Sequence, residues 1–162
     1  MSAHCFHRVL GLKGYDVIEC WKDQGEVWVV AEVPRDPLRW PDCRGRRVHI
    51  HERHTRQWRV LPIGLRPTRI FMDVLRVMCL DCGANRRVEV EFAAPLVRHT
   101  KDFERFAAGL LRSLTSQDLT TYLGISWGTA AAIDQRRLTA WLRSRVTVCT
   151  RRKRCRWSVP PP

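Results

Sequence analysis

Acid is what this sequence runs short of. Asp and Glu total 16 against 29 Lys and Arg in 162 residues, a formal net charge of +13 and a pI near 10.5. After Asp134 there is no carboxylate at all. Two-metal phosphoryl transfer needs carboxylates to hold its cations, so the C-terminal stretch offers no such centre. Long apolar runs are missing too: no window of about 18 apolar residues exists, which excludes a membrane-spanning helix. The opening "MSAHCFHRVLGLKGYDV" has no charged head, apolar run and small-residue cleavage site, and so does not read as a signal peptide. The seven cysteines are odd in number and not spaced like a secreted framework. Thiols kept free or on a metal in a reducing cytoplasm fit better.

Arginine supplies most of the positive charge. Its planar fork matches phosphate and guanine edges, so the balance points first to nucleic acid, with solubility as the plainer alternative. The charge is uneven. Residues 143–162 carry seven cations and no acid, and taking those seven from +13 leaves +6 on residues 1–142.

Pattern along the chain predicts an α+β protein: a small β zinc-ribbon-like module followed by a three-helix helix-turn-helix bundle. Residues 1–36 read as N-terminal strands. In "GEVWVVAEV", Val27, Val29, Ala31 and Val33 alternate with Trp28, Val30 and Glu32, after a hairpin turn at "QGE". "PRDPLRWP" then reads as a loop. Residues 37–94 read as the β module. Val48 and Ile50 alternate with His49 and His51, a turn falls at Pro62 and Gly64, an apolar run ends on Cys79, and Val88, Val90 and Phe92 alternate with Glu89 and Glu91.

Residues 95–142 switch to helical spacing. Thr100 is the expected N-cap of a first helix whose apolar stripe is Phe103, Phe106, Ala107, Leu110, Leu111 and Leu114. Thr115 and Asp118 suit a capping box, with Leu119, Tyr122 and Leu123 facing inward and Gly124 as the stop. Ser126 is the expected cap of a third helix to about Trp141, with Ala130, Ile133, Leu138 and Trp141 on one side. Residues 143–162 read as a basic tail, disordered without a partner.

"LTTYLGISWGTAAAIDQRR" has the layout of a helix-turn-helix, with Ile125 beneath the turn. The second helix of that motif enters the major groove, which makes Ser126, Trp127, Thr129, Gln135 and Arg136 candidate DNA contacts. An ordinary helical hairpin shares the same caps, and Trp127 also suits a core position. The phosphate candidates are Arg46, Arg47, Arg53, Arg56 and Arg59.

Cys79 and Cys82 have the spacing of one zinc knuckle, followed by Gly83. A redox motif needs a helix start in an α/β setting, which this is not; two unligated cysteines in a turn is the plain alternative. Cys43 is the natural second knuckle. Three residues before it stands Trp40, whose indole N–H donates only and cannot ligate a metal. His49 and His51 are the candidate fourth ligand, with His54 at the strand's end, or they are solvent-facing histidines near phosphates. Weak or partial Zn2+ binding by Cys43, Cys79 and Cys82 is therefore expected. A hydrolase built on Cys43 has no third orienting group.

Together, "RWPDCRGRRVHIHERHTRQWRVLPIG", "RVMCLDCG", "RRVEVEF" and "RHTKDFERF" resemble the ISL-three family of bacterial insertion-sequence transposases. The matching positions are Pro41, Cys43, Arg56, Trp58, Arg59, Leu61, Pro62, Cys79, Cys82, Arg98, Thr100 and Phe103, and the likeness spans roughly residues 9–142. The departures are Trp40 for a cysteine, Arg44 for a glycine that comes one place late at Gly45, and Val60 for an aspartate.

The resemblance implies a zinc module plus a helix-turn-helix that bind double-stranded DNA at the element's terminal repeats. In the family a large catalytic domain with an acidic triad follows. The expectation here is a truncated, non-catalytic DNA-binding fragment, cytoplasmic and nucleoid-associated, that occupies element ends or pairs with full-length transposase. The competing readings are a zinc-ribbon protein-interaction module and a non-functional relic.

Overall fold

The computed structural model describes residues 10–33 and 47–151, with side chains as far as Arg143. Trp40, Cys43 and Arg46, and the expectations attached to them, lie outside the described residues, as do residues 152–162. Among the described residues the architecture is α+β: five strands, then three helices. The strands are β1 (Asp16–Asp23), β2 (Glu26–Glu32), β3 (Val48–Ile63), β4 (Arg66–Cys79) and β5 (Asn85–Arg87). The helices are α1 (Lys101–Leu110), α2 (Ser116–Leu123) and α3 (Trp127–Arg151). Two compact units divide within α1, after Phe106. No helix among the described residues is long and apolar enough to cross a membrane.

The first unit is one sheet in the order β1-β2-β4-β3, with β5 also on β4. The turn between β1 and β2 is Gln24–Gly25, both at positive φ, as a tight hairpin demands. β2 then runs parallel to the first half of β4, with Val29 beside Ile70 and Ala31 beside Met72. β5 takes the second half of that same edge, at Arg76–Met78. The N-terminal strands are thus joined to the β module in one sheet. The strand expected through Phe92 stops at Arg87. Val88 and Val90 still turn half inward and Phe92 is buried while Glu89 and Glu91 are exposed, so the alternation survives without a ladder.

β4 serves two cores because successive side chains leave opposite faces of a strand. Ile70, Met72 and Val74 join Val29, Ala31, Trp58, Val60, Leu10, Leu12, Tyr15 and Phe92 on one face. The Trp58 ring meets Phe92 edge-on at 5.3 Å. On the other face, Leu75, Val77 and Cys79 pack with Val48, Ile50 and Val88. Thr100 caps α1 as expected, its hydroxyl accepting from the Phe103 N–H at 3.2 Å.

In the second unit α2 packs on α3, and Ala107, Leu119, Leu123, Ala130 and Ile133 are buried. Tyr122, expected inward, is 59% exposed, and Leu138 and Trp141 are also exposed. Among the described side chains of α3, only those in the first turns are covered. The helix then continues well past Trp141 to Arg151, into the segment expected to be an unstructured tail.

Candidate nucleic-acid interface and metal knuckle

The turn between α2 and α3 is built from local hydrogen bonds. The Thr115 hydroxyl accepts from the Asp118 N–H at 3.2 Å, and the Asp118 carboxylate accepts from the Thr115 N–H at 3.2 Å and its hydroxyl at 2.7 Å. These bonds hold the Asp118 carboxyl below the usual carboxylate range. At the other end Gly124 sits at φ 59, ψ 43, the left-handed conformation that ends a helix, and its N–H bonds to the Thr120 carbonyl. Ser126 then opens α3: its hydroxyl accepts from the Thr129 N–H at 3.3 Å and lies 2.9 Å from the Thr129 hydroxyl. Those two hydroxyls are engaged with each other at the cap.

Buried Ala130 and Ile133 set the orientation of α3. Gln135 is two positions from Ile133, about 200° around a 3.6-residue helix, and so faces away from the buried side. Gln135 and Arg136 are exposed. Trp127, for which a core position was the alternative, is 65% exposed at the first turn. Arg137, which no sequence signal singled out, is tied to Asp134 at 2.7 Å.

Arg53 and Arg59 share one face of β3 and Arg56 leaves the other, but their surroundings differ. Arg53 is exposed. Arg56 lies over the Trp58 ring at 5.0 Å. Arg59 is different: its side chain is only 12% exposed and its guanidinium points to Glu26 at 3.9 Å. Arg69, its neighbour across the ladder, grips the same carboxylate with two bonds of 2.9 and 3.2 Å and covers Trp28 at 5.5 Å. Burial first, and then the Arg69 charge, lower the Arg59 pKa, while Glu26 acts against them. Glu26, Trp28 and Arg69 form a network that the sequence reading did not identify. Their β2–β4 pairing carries no local signal.

At the end of β4 the chain folds back under Cys79. The Gly83 N–H bonds to the Cys79 carbonyl and the Cys79 N–H to the Ala84 carbonyl, both at 2.9 Å, with Gly83 at φ 72. Cys79 is buried and Cys82 exposed. The Leu80 N–H donates to the Arg47 carbonyl at 2.8 Å, and the Arg47 side chain pairs with Asp81 at 2.6 Å. Arg47 thus touches the knuckle through Asp81 while its side chain remains largely exposed.

Val48 lies opposite Cys79 and His49 opposite Met78. His49 thus leaves the face opposite to Cys79, and His51 falls at the irregularity between Ile50 and Glu52. Among the described residues no three His, Cys, Asp or Glu side chains come together as a metal site. What the described residues do fit is half of a tetrahedral thiolate site, a two-cysteine turn. Cys43, the expected partner of this turn, lies outside the described residues.

The sequence was compared with known proteins. The family model described as the zinc-finger of transposase IS204/IS1001/IS1096/IS1165 matches residues 39–82. The model described as the helix-turn-helix domain of transposase family ISL3 matches residues 88–138. No curated protein and no solved structure matches the chain.

Proposed function

Because the chain belongs to the ISL3 transposases through its zinc-finger and helix-turn-helix regions, we propose that it recognises the ends of an insertion element as duplex DNA. The observation that carries this reading is the start of α3. Its caps are complete, its buried residues are few and on one side, and Trp127, Gln135 and Arg136 stand exposed within two and a half turns. Gln135 lies opposite the buried side, with Trp127 and Arg136 on its two flanks, and a recognition helix would turn that side to base edges. Ser126 and Thr129 set its first turn. Arg53 and Arg56 supply phosphate contacts from the β unit, joined by Arg46 from outside the described residues, and the basic C-terminal segment adds salt-sensitive affinity.

Zn2+, held by Cys43, Cys79 and Cys82, would clamp the start of β3 to the end of β4. Trp40 in place of a fourth thiolate weakens that clamp. This stretch of chain binds and positions DNA, and the residues after Asp134 supply no carboxylate for strand transfer. It works on chromosomal DNA in the cytoplasm and competes or pairs with intact transposase there.

The test is selection of duplexes from a randomised pool, followed by gel shift at about 0.15 M salt, near physiological ionic strength. A selected sequence that resists competition by unrelated duplex supports the reading. Equal affinity for both sinks it.

A further inference from the structure

The β3–β4 hairpin closes on two residues, Gly64 and Leu65. Gly64 takes φ 64, and Leu65 is 91% exposed, the most exposed large apolar side chain among the described residues. A single exposed leucine is ordinary on a protein surface. This one differs in how it is held.

Just behind the turn stands Thr68, 0% exposed. Its hydroxyl accepts from the Ile63 N–H at 3.2 Å and donates to the Arg66 carbonyl at 3.3 Å, tying the two arms of the tip together. Pro62 and Pro67 flank the turn and fix φ on each arm. The tip is therefore preorganised, which lowers the ordering cost of putting Leu65 into another molecule.

The charge around it is mostly positive, although Glu26 of β2 engages Arg59 and Arg69. From Arg53 to Met72 the sequence carries five arginines and no acid. One of the five, Arg66, is exposed next to Leu65. A rigid apolar tip beside a guanidinium, on the half of the hairpin that carries no acid of its own, is complementary to a polyanion with apolar layers inside it. Duplex DNA has that composition: phosphates outside, stacked bases within.

We propose that Leu65 is a wedge that enters a base step of bound duplex DNA from the minor groove and kinks it, with Arg66 on the adjacent phosphates. Proteins that bend DNA in this way use leucine, among other apolar side chains, to part a base step. The inference rests on the DNA-binding reading above and adds a deformation to it. Pyrimidine–purine steps, TA above all, unstack most easily and are the expected entry point. The kink brings more of the arginine-bearing β3 surface against the backbone than a straight duplex would.

The experiment uses the full chain and end-labelled duplexes of about 30 base pairs with a central TA step, the length over which such bends are read. Energy transfer between the ends reports bending, and gel shift reports binding on the same samples. Wild type is expected to raise the transfer, by a kink of about 20–90°. Leu65→Ala and Leu65→Gln are expected to bind and leave the duplex straight. Leu65→Met, which keeps an apolar wedge, retains the bend. The side chain lies outside both cores, so thermal melting of the variants should match wild type.

Equal bending by wild type and Leu65→Ala overturns the wedge, as does binding without any bend. Failure of wild type to shift any duplex overturns the DNA-binding reading as well. If wild type sediments as a dimer that Leu65→Ala dissolves, the tip is a protein contact, and the wedge is again overturned.

Discussion

His49 and Cys79 leave opposite faces of the β3–β4 ladder. The register fixes this, since Val48 stands opposite Cys79 and His49 opposite Met78. A metal held by the Cys79 thiolate is on the wrong side of the ribbon for the His49 imidazole. Replacing His49 by alanine is therefore expected to leave the zinc content of the purified protein unchanged. Cys79→Ser and Cys82→Ser should remove it, and Trp40→Cys should raise it. Elemental analysis measures all four; zinc loss in His49→Ala would mean that the ladder is out of register.

The reciprocal bonds of Thr115 and Asp118 predict a pH dependence at the start of α2. The folded carboxyl titrates below its usual value, chiefly through the Thr115 hydroxyl and then through the Thr115 N–H. Its contribution is thus full above the unfolded value of about 3.9 and is lost as pH falls through the lowered folded value. Hydrogen exchange at the α2 amides should quicken across that acid window in wild type. Asp118→Asn should flatten the response, and an unchanged acid profile in that variant would remove the box from the account.

Gly124 makes a separate prediction. A Cβ there would meet nothing within 4 Å, so the whole effect of substitution comes from φ 59. Gly124→Ala is expected to cost about 1 kcal/mol, the penalty for holding an L-residue in the left-handed region. Gly124→Asn should cost less, because asparagine tolerates that region. Chemical denaturation compares them; equal losses would point to something other than backbone conformation.

The arginines of β3 should separate in a salt titration. Arg53 is exposed and Arg59 is nearly covered beside Glu26. Arg53→Ala is expected to lower the slope of log K against log salt by about 1, the signature of one lost phosphate contact. Arg59→Ala should lower the melting temperature and leave that slope alone. The reverse pattern would return Arg59 to the DNA surface.

Much of this protein was legible without its fold. Local signals carried the turn at Gln24–Gly25, the cap at Thr100, the box at Thr115, the stop at Gly124 and the start of α3 at Ser126. Each depends on residues within four positions of one another, where hydrogen-bond geometry and allowed φ decide the outcome. Alternation likewise put Val29 and Ala31 on one face, and that is the face the fold buries. The same short-range logic misplaced Tyr122 and left the exposure of Leu138 and Trp141 open, because helical spacing says which residues share a face and not whether anything covers it.

What only tertiary structure decided is who lies beside whom. That β2 runs parallel to β4 has no local signature, and it creates the Glu26, Arg59 and Arg69 network that takes one arginine off the surface. The ladder register sends His49 away from Cys79, since a strand's period of two turns each single-residue step into a change of face. The sequence alone determined the chemistry at hand: arginine in excess, a Cys-x-x-Cys pair, a tryptophan three residues before Cys43 and no carboxylate after Asp134. Pairing across distant strands determined which of those side chains meet.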